Sequence, residues 1–138
     1  MPNIVEKMTL NYSPNFHSRK RTKSEIKYLI FHYTGMRSDK SAIKKLTDVN
    51  SMVSCHYYIN KKGQIIQMVP DLYVAWHAGK SFWKNDKNLN KNSIGIEISN
   101  PGHDHGYKKF TEKQIETLIN LSKKLIKNYS IKRKNILG

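Results

Sequence analysis

The stretch YLIFHYTG, residues 28–35, decides how the rest of the chain is interpreted. Its apolar run is typical of a strand that is buried on both faces of a sheet, and we predict this strand over 26–33. His32 closes the run just before a Thr-Gly turn. Taken alone, His32 has two interpretations: a half-buried side chain whose ring bonds to the backbone, or a metal ligand at the mouth of the sheet.

The composition bounds the class of protein. A length of 138 residues predicts a single domain with one sizeable core. The formal net charge of +15 suits nucleic acid, an anionic membrane surface or an acidic substrate. Most of that excess is Lys, which is also what drift towards an AT-rich genome produces. Cys55 is the only cysteine, so the chain forms no internal disulfide, and we interpret Cys55 as a small buried residue.

Membrane and export signals are missing from the sequence. No apolar run approaches the ~20 residues of a membrane span. The start, MPNIVEKMTL, lacks the apolar region of a signal peptide. We therefore expect a protein without a membrane span in the cytoplasm, with periplasmic or secreted placement by another export route as the alternative. We also expect a monomer.

Helix and strand signals alternate along the chain. Residues 1–25 are interpreted as an N-terminal arm, and its basic cluster HSRKRTKSE as a solvated loop. A helix start is indicated at Ser38, and VSCHYYIN and QIIQMV flank a turn at Gly63, which predicts a β-hairpin. SIGIEIS and the final KNILG are predicted strands.

The clearest helix begins at Thr111, which forms a capping box with Gln114. An apolar stripe at helical spacing is interpreted as core packing; it comprises Ile115, Leu118, Ile119, Ser122, Leu125, Ile126 and Tyr129. The predicted fold is therefore α/β, a single domain with a mixed central sheet flanked by helices.

Glu97 is unexpected inside the apolar strand SIGIEIS. It stands between Ile96 and Ile98 and faces the other side of the strand. On an exposed strand face this carries no meaning. In a partly apolar cleft the pKa of Glu97 would rise, and the carboxylate would suit general-base catalysis.

Two loops also hold side chains with chemical potential. AWHAGKSFW sets Trp76, His77 and Trp83 around a glycine, either as core packing or as a wall for a sugar or peptide ligand. NPGHDHGY groups two histidines and an aspartate over 103–105. Alternating side chains on a loop point in different directions, which disfavours a metal site there.

The order and spacing of four segments carry a resemblance: LIFHYTG, VSCHYYINKKGQIIQMVPDLYVAWHAG, LNKNSIGIEISNPG and FTEKQIETL. Together they resemble the zinc-dependent N-acetylmuramoyl-L-alanine amidases of type 2, which are related to the peptidoglycan recognition proteins. The resemblance covers 26–138, the predicted amidase domain. It implies a zinc ion in a cleft at the strand ends and hydrolysis of the bond between N-acetylmuramic acid and L-alanine in peptidoglycan or muropeptides. The basic surface suits the carboxylates of the stem peptide.

The same resemblance implies roles for individual residues. His32 becomes a zinc ligand, and Glu97 becomes the general base that takes a proton from a zinc-activated water and passes it to the leaving amine. Substrate contacts are implied for four residues: Trp76, His77, Tyr33 and Asn100. The 100–107 loop takes a position on the rim of the cleft.

The sequence departs from the family pattern at its end. The family supplies two more zinc ligands, a histidine and an aspartate, just after the short strand that corresponds to KNILG, and here the chain stops at Gly138. Since catalytic zinc sites use three protein ligands, we expect the remaining ligands beyond Gly138, weak or absent zinc binding and little or no hydrolysis by this chain. The possible substitutes are His56, His77, His103 and His105, but nothing in their spacing favours them.

Two other classes of function stay open. A non-catalytic peptidoglycan-binding module would agree with an incomplete zinc site, although such a module has no need of Glu97. A nucleic-acid-binding protein would rest on charge alone, and we expect no nucleic-acid partner.

Overall fold

The structure, a computed structural model, describes residues 8–78, 88–102, 106 and 108–138. A six-stranded sheet forms its centre, in the order β1-β5-β4-β7-β3-β8. The strands are β1 (Thr9–Leu10), β3 (Tyr28–Tyr33), β4 (Tyr57–Ile59), β5 (Ile65–Gln67), β7 (Ser93–Ile98) and β8 (Ile136–Leu137). A separate antiparallel pair joins β2 (Phe16–His17) to β6 (Val74–Ala75).

The central sheet is mixed, as predicted. Strands β4, β7, β3 and β8 run parallel to one another, whereas β5 runs antiparallel to β4. The last strand lies where KNILG indicated, and it pairs Ile136 and Leu137 with Leu29 and Ile30 of β3.

The first predicted strand begins two residues later than expected, because Ile26 caps a 3-10 turn over Lys23–Glu25. Its first three residues are buried, as the apolar run indicated. Burial on both faces is wrong for the end of the strand, where His32 is half-buried and Tyr33 is 53% exposed.

The local start and turn signals are confirmed. Helix α1 (Asp39–Thr47) is capped by Ser38, whose Oγ accepts a hydrogen bond from the Ser41 amide. Helix α2 (Glu112–Tyr129) begins with the Thr111–Gln114 capping box. Gly63 takes a φ of +76° in the turn between β4 and β5, a conformation that a side chain would strain.

The predicted stripe of helix α2 is confirmed in part, because Leu125 lies in the core and Leu118, Ile126 and Tyr129 pack against it. Ile115 and Ile119 are 44% and 47% exposed, so the core-packing interpretation is wrong for both. The buried positions include two polar residues: the Gln114 amide donates to the carbonyl oxygen of Ser99, and the Thr117 hydroxyl donates to that of Gly63. These hydrogen bonds to backbone rotate the buried face of the helix away from the most apolar line.

The N-terminal segment contributes to the fold. Strand β1 pairs in parallel with β5, and Arg21, within the predicted solvated loop, is only 5% exposed. Its guanidinium donates to backbone carbonyls of Asp71, Asn90, Lys91 and Ser93. The solvated-loop interpretation is therefore wrong at Arg21, while the domain boundary at residue 25 stays a prediction.

Two further expectations concern burial and membranes. Cys55 is fully buried beside Met68 and Tyr58, as predicted. Within the described ranges, no helix has the length and apolar character needed to cross a bilayer.

Candidate active site

Strand β7 presents different chemistry on its two faces. Ile94, Ile96 and Ile98 pack in the core cluster that contains Leu121 and Leu125 of α2. The alternate residues, Ser93, Gly95 and Glu97, face the other side of the sheet. The second face therefore carries the polar groups of this strand.

His32 and Glu97 lie on the same face of the sheet. The parallel register of β3 and β7 pairs His32 directly with Glu97, near the carboxyl end of both strands. Since directly paired residues point to the same side, the two side chains lie side by side on one face of the sheet, and their roles stay predictions. Ligands of open α/β sheets bind at such strand ends.

A cleft of about 120 Å³ opens at these strand ends. Helix α1 and the loop after β3 form one side, and the segment after β6 forms the other. The lining residues are Thr34, Met36, Ala42, Lys45, Leu46, Val53, Ser54, Trp76, His77 and Glu97. The cleft therefore combines apolar walls with one carboxylate and one ammonium group among its lining residues.

Burial perturbs the acidity of Glu97. It raises the pKa of the carboxyl from 4.5 to about 8, and the positive charge of Lys45 opposes that rise. At neutral pH the protonated form of the carboxyl is therefore favoured, and any further cation in the cleft would favour the ionised form. A perturbed carboxyl in a cleft is typical of a catalytic acid or base.

His77 is held from several sides. Its Nδ1 lies 3.0 Å from Nε2 of His32, and its Nε2 lies 2.9 Å from Oγ of Ser93. Its backbone amide donates to Oδ1 of Asn90. The ring occupies the space above Gly95, where a Cβ would come within 2.3 Å of the ring Cγ. Both nitrogens of His77 are therefore used by the protein itself.

His56 lies behind this pair and is fully buried. The Gly95 amide donates to its Nδ1 at 3.0 Å, so its Nε2 carries the proton and donates to the Tyr73 carbonyl at 2.8 Å. Burial, assisted by the nearby Arg21 charge, lowers the pKa of His56 to about 3. His56 is thus a neutral residue with both nitrogens occupied, which disfavours it as a metal ligand.

Trp76 lies on the wall of the cleft that holds Glu97 and His77. Its backbone amide donates to Oγ of Ser54 at 2.9 Å, and the edge of its ring meets the His17 ring. The indole Nε1 is buried and has no hydrogen-bond partner within the described part of the chain. A substrate-contact role for Trp76 stays a prediction, and its position supports one.

Tyr33 and Asn100 lie apart from the cleft. Tyr33 pairs with Ile98, on the opposite sheet face from His32, and its ring packs against Gly102. The Asn100 side chain bonds within its own loop, donating to the Lys108 carbonyl and accepting from the Gly102 amide. Their substrate roles stay predictions that this geometry does not support. Trp83 and the 103–105 triplet lie outside the described residues.

Among the residues near the cleft, His32 has the chemistry of a zinc ligand. No described residue other than His77 hydrogen-bonds to the His32 ring, so its Nδ1 keeps no protein partner there. An imidazole that offers one nitrogen while the other is hydrogen-bonded is the usual form of a metal ligand. Among the described residues, however, no group of three or more His, Cys, Asp or Glu side chains could hold a metal ion. His32 is therefore one candidate ligand and not a complete site.

Sequence reasoning missed Lys45, Ser93 and Gly95. A period-two reading of SIGIEIS finds two of them, because Ser93 and Gly95 share the face of Glu97. Lys45 carries no such signal, since it is one of many lysines and reaches the cleft only because α1 packs over this face.

Comparison with known proteins identifies relatives. Residues 22–138 match the Amidase_2 family, described as N-acetylmuramoyl-L-alanine amidase. The chain is 40% identical over 125 residues to the N-acetylmuramoyl-L-alanine amidase AmiD of Escherichia coli, a match that covers 82% of this chain and 44% of that protein. The chain therefore spans less than half the length of that relative. Its location and monomeric state stay predictions.

Two solved structures share the fold. One is AmiD from E. coli in complex with the substrate anhydro-N-acetylmuramic acid-L-Ala-D-γ-Glu-L-Lys, with a TM-score of 0.72, 36% identity and coverage of 87% of this chain and 49% of that one. The other is AmpDh3 from Pseudomonas aeruginosa with anhydromuramic pentapeptide, with a TM-score of 0.78, 28% identity and coverage of 94% and 56%.

Proposed function

Because the chain belongs to the N-acetylmuramoyl-L-alanine amidase family, we propose that it hydrolyses the amide bond between N-acetylmuramic acid and L-alanine. The observation that carries the proposal is the placement of His32 beside Glu97 on one face at the ends of paired strands, with Glu97 lining a cleft walled by Trp76. The proposed substrate is a peptidoglycan fragment with its stem peptide. Relatives solved with anhydromuramic peptides support that class of substrate.

Glu97 is the proposed general base. Its carboxylate takes a proton from the attacking water and delivers it to the nitrogen of L-alanine as the amide bond breaks. The base must be ionised to act, and burial holds the pKa of Glu97 at about 8. A carboxyl with a pKa near the working pH suits both proton transfers, because it accepts and releases the proton at little cost.

His32 is the proposed ligand of the zinc ion on which this family typically depends. Zinc, when bound, supplies polarisation of the scissile carbonyl and a more acidic attacking water. The chain's own part is to hold His32 at the strand end next to Glu97, and to keep apolar side chains of α1 around the carboxyl. Since the described residues offer one ligand, slow turnover by this chain remains our expectation.

Charge supports the substrate class. The stem peptide of a muropeptide is anionic, and the chain carries a formal net charge of +15. Lys45 brings one of these charges into the cleft beside Glu97. Long-range attraction of this kind raises the rate of encounter with an anionic ligand more than it raises final affinity.

The test is single-turnover hydrolysis, with protein in excess over an anhydromuramyl tripeptide in the presence of zinc chloride. Mass spectrometry would detect the peptide with a free N-terminal L-alanine. We expect Glu97→Gln to lower the rate at least ~100-fold, as loss of a general base does. The matched control is Glu116→Gln, which removes an exposed carboxylate on α2 and should leave the rate unchanged.

Two outcomes would overturn the assignment. Turnover by Glu97→Gln within about tenfold of the unsubstituted chain would exclude Glu97 as the base. Saturable binding of both zinc and the tripeptide by the unsubstituted chain, with no product, would instead favour a non-catalytic peptidoglycan-binding module.

A further inference from the structure

The contact between His32 and His77 is a hydrogen bond between two imidazole rings. Their Nε2 and Nδ1 atoms are 3.0 Å apart, so one nitrogen carries the shared proton and the other accepts it. The far nitrogen of His77, Nε2, lies 2.9 Å from Oγ of Ser93. The tautomer of His32 is thereby coupled through His77 to a hydroxyl on β7.

We propose that His77 is a positioning residue for His32: it accepts the Nε2–H of His32 at its own Nδ1 and donates its Nε2–H to Ser93. His32 is then left with a lone pair on Nδ1, the nitrogen without a protein partner among the described residues. The role rests on the proposed function only in that His32 is the proposed ligand. His77 in this role acts through His32.

The direction of the two hydrogen bonds follows from the protonation state in which each alternative leaves Nδ1 of His32. In the reverse direction, Ser93 donates to His77, His77 donates to His32, and His32 presents an N–H at Nδ1. None of the described residues accepts a hydrogen bond from that nitrogen. An imidazole N–H also cannot bind a cation, whereas the lone pair of the proposed tautomer can.

The place of the His77 ring is set by Gly95. A Cβ at position 95 would lie 2.3–2.5 Å from three atoms of the ring, so the ring occupies the space that any larger residue would fill. Asn90 adds a hydrogen bond to the His77 amide at 3.1 Å. Rotation of the ring would break its contacts with both His32 and Ser93, which makes His77 a rigid support.

The proposed role of His77 explains why polar and small residues alternate with isoleucines along β7. Ser93, Gly95 and Glu97 share one face of the strand. Ser93 accepts the proposed hydrogen bond from His77, Gly95 makes room for the His77 ring, and Glu97 is the direct partner of His32 in the parallel register. Ser93 and Gly95 therefore orient His32 through His77, and the same face of the strand carries Glu97.

The experiment reads the tautomers directly, by long-range ¹H–¹⁵N correlation spectra of the metal-free chain labelled with ¹⁵N-histidine. We expect both His32 and His77 to be protonated at Nε2 and unprotonated at Nδ1. His77→Phe keeps a flat ring over Gly95 but removes the acceptor, so His32 should become an exchanging mixture of tautomers. His77→Asn, whose Oδ1 can accept in place of Nδ1, should restore the single tautomer of His32.

A serine pair supplies the matched control. Ser93→Ala removes the acceptor of the His77 proton and should mix the tautomers of His77 and His32. Ser122→Ala also removes a buried hydroxyl, one with no hydrogen-bond partner in the described ranges. It should leave the ¹H–¹⁵N signals of both His32 and His77 unchanged. If circular dichroism shows that His77→Phe is unfolded, the two serine variants decide the question.

The proposal is overturned if His32 carries its proton on Nδ1 in the unsubstituted chain. It is equally overturned if folded His77→Phe and Ser93→Ala both keep a single Nε2–H tautomer at His32. Neither readout depends on hydrolysis, so a chain that shows the expected tautomers and binds zinc but cleaves no muropeptide would refute the proposed function and leave the role of His77 intact.

Discussion

The two faces of strand β7 follow opposite rules. The face towards α2 carries Ile94, Ile96 and Ile98, all almost fully buried and packed among other apolar side chains. The face towards α1 carries a serine, a glycine and a glutamate, whose surroundings include histidines and a lysine. One face thus contributes mainly apolar burial, and the other orients polar groups at the cost of an unfavourable buried carboxyl.

Stability and chemistry depend on different faces of this strand. Residues on the first face can be judged by volume and burial, because they have no polar group to satisfy. Residues on the second face are specified by contacts of a few atoms, such as the 2.9 Å between Ser93 and His77. Substitutions on the two faces should therefore fail in different ways.

The largest expected effect is on the α2 face. Ile96→Ala removes a fully buried side chain and should lower the free energy of unfolding by about 2–5 kcal/mol, measured by denaturant titration. Ile119→Ala makes the same change at a residue that is 47% exposed, and should cost within ~0.5 kcal/mol. Equal losses for the two variants would break the division between the faces.

A pH-dependent effect is expected on the other face. Burial raises the pKa of Glu97 from 4.5 to about 8, so the folded chain holds this proton more tightly than the unfolded chain does. The stability contributed by protonated Glu97 is full below pH 4.5 and is lost as pH rises through 8. Glu97→Gln, in chelator-treated protein, should remove this loss and be more stable than the unsubstituted chain above pH 8.

The size of that difference is on the order of 2 kcal/mol, reduced from the full shift because Glu97 is partly exposed. Unfolding curves recorded from pH 4 to pH 9 would measure it. Glu116→Gln, the exposed counterpart, should follow the unsubstituted chain at every pH. If the stability of Glu97→Gln also followed the unsubstituted chain at every pH, Glu97 would be an ordinarily solvated carboxylate whose ionisation carries no burial penalty.

The smallest expected effect concerns Lys45. Its charge lowers the pKa of Glu97, so Lys45→Met should raise that pKa, by less than about one unit because the ammonium group is exposed to water. A ¹³C titration of the labelled Glu97 carboxyl would detect the shift. Lys44→Met changes a neighbouring lysine that is not part of the cleft lining and should leave the titration in place. An equal shift in both variants would mean that the general charge of α1, and not Lys45, acts on Glu97.

Predictions that depend on residues close together in sequence were confirmed. Ser38, the Thr111–Gln114 capping box and Gly63 each satisfy a backbone group or a backbone angle within a few residues. These local interactions form in the same way whatever the rest of the chain does. The five predicted strands followed from their apolar runs for a similar reason, whereas β1, β2 and β6 were not predicted.

Predictions that depend on distant partners were less complete. The exposed Ile115 and Ile119 were assigned to the core because α2 was read by hydropathy alone, without the carbonyls of Ser99 and Gly63 that bury Gln114 and Thr117. Arg21 was assigned to a solvated loop because no sequence pattern indicates the backbone carbonyls that surround its guanidinium.

By itself, the sequence determined the mixed α/β fold, the candidate residues His32 and Glu97, and the family, because each of these depends on residue order and on short-range patterns. The tertiary structure decided which candidates meet. It brought His77 between His32 and Ser93, set Tyr33 on the other face and brought Lys45 to Glu97. These relations depend on the register of β3 against β7 and on the packing of α1, and a difference of one residue in register would turn the same side chains to the opposite face.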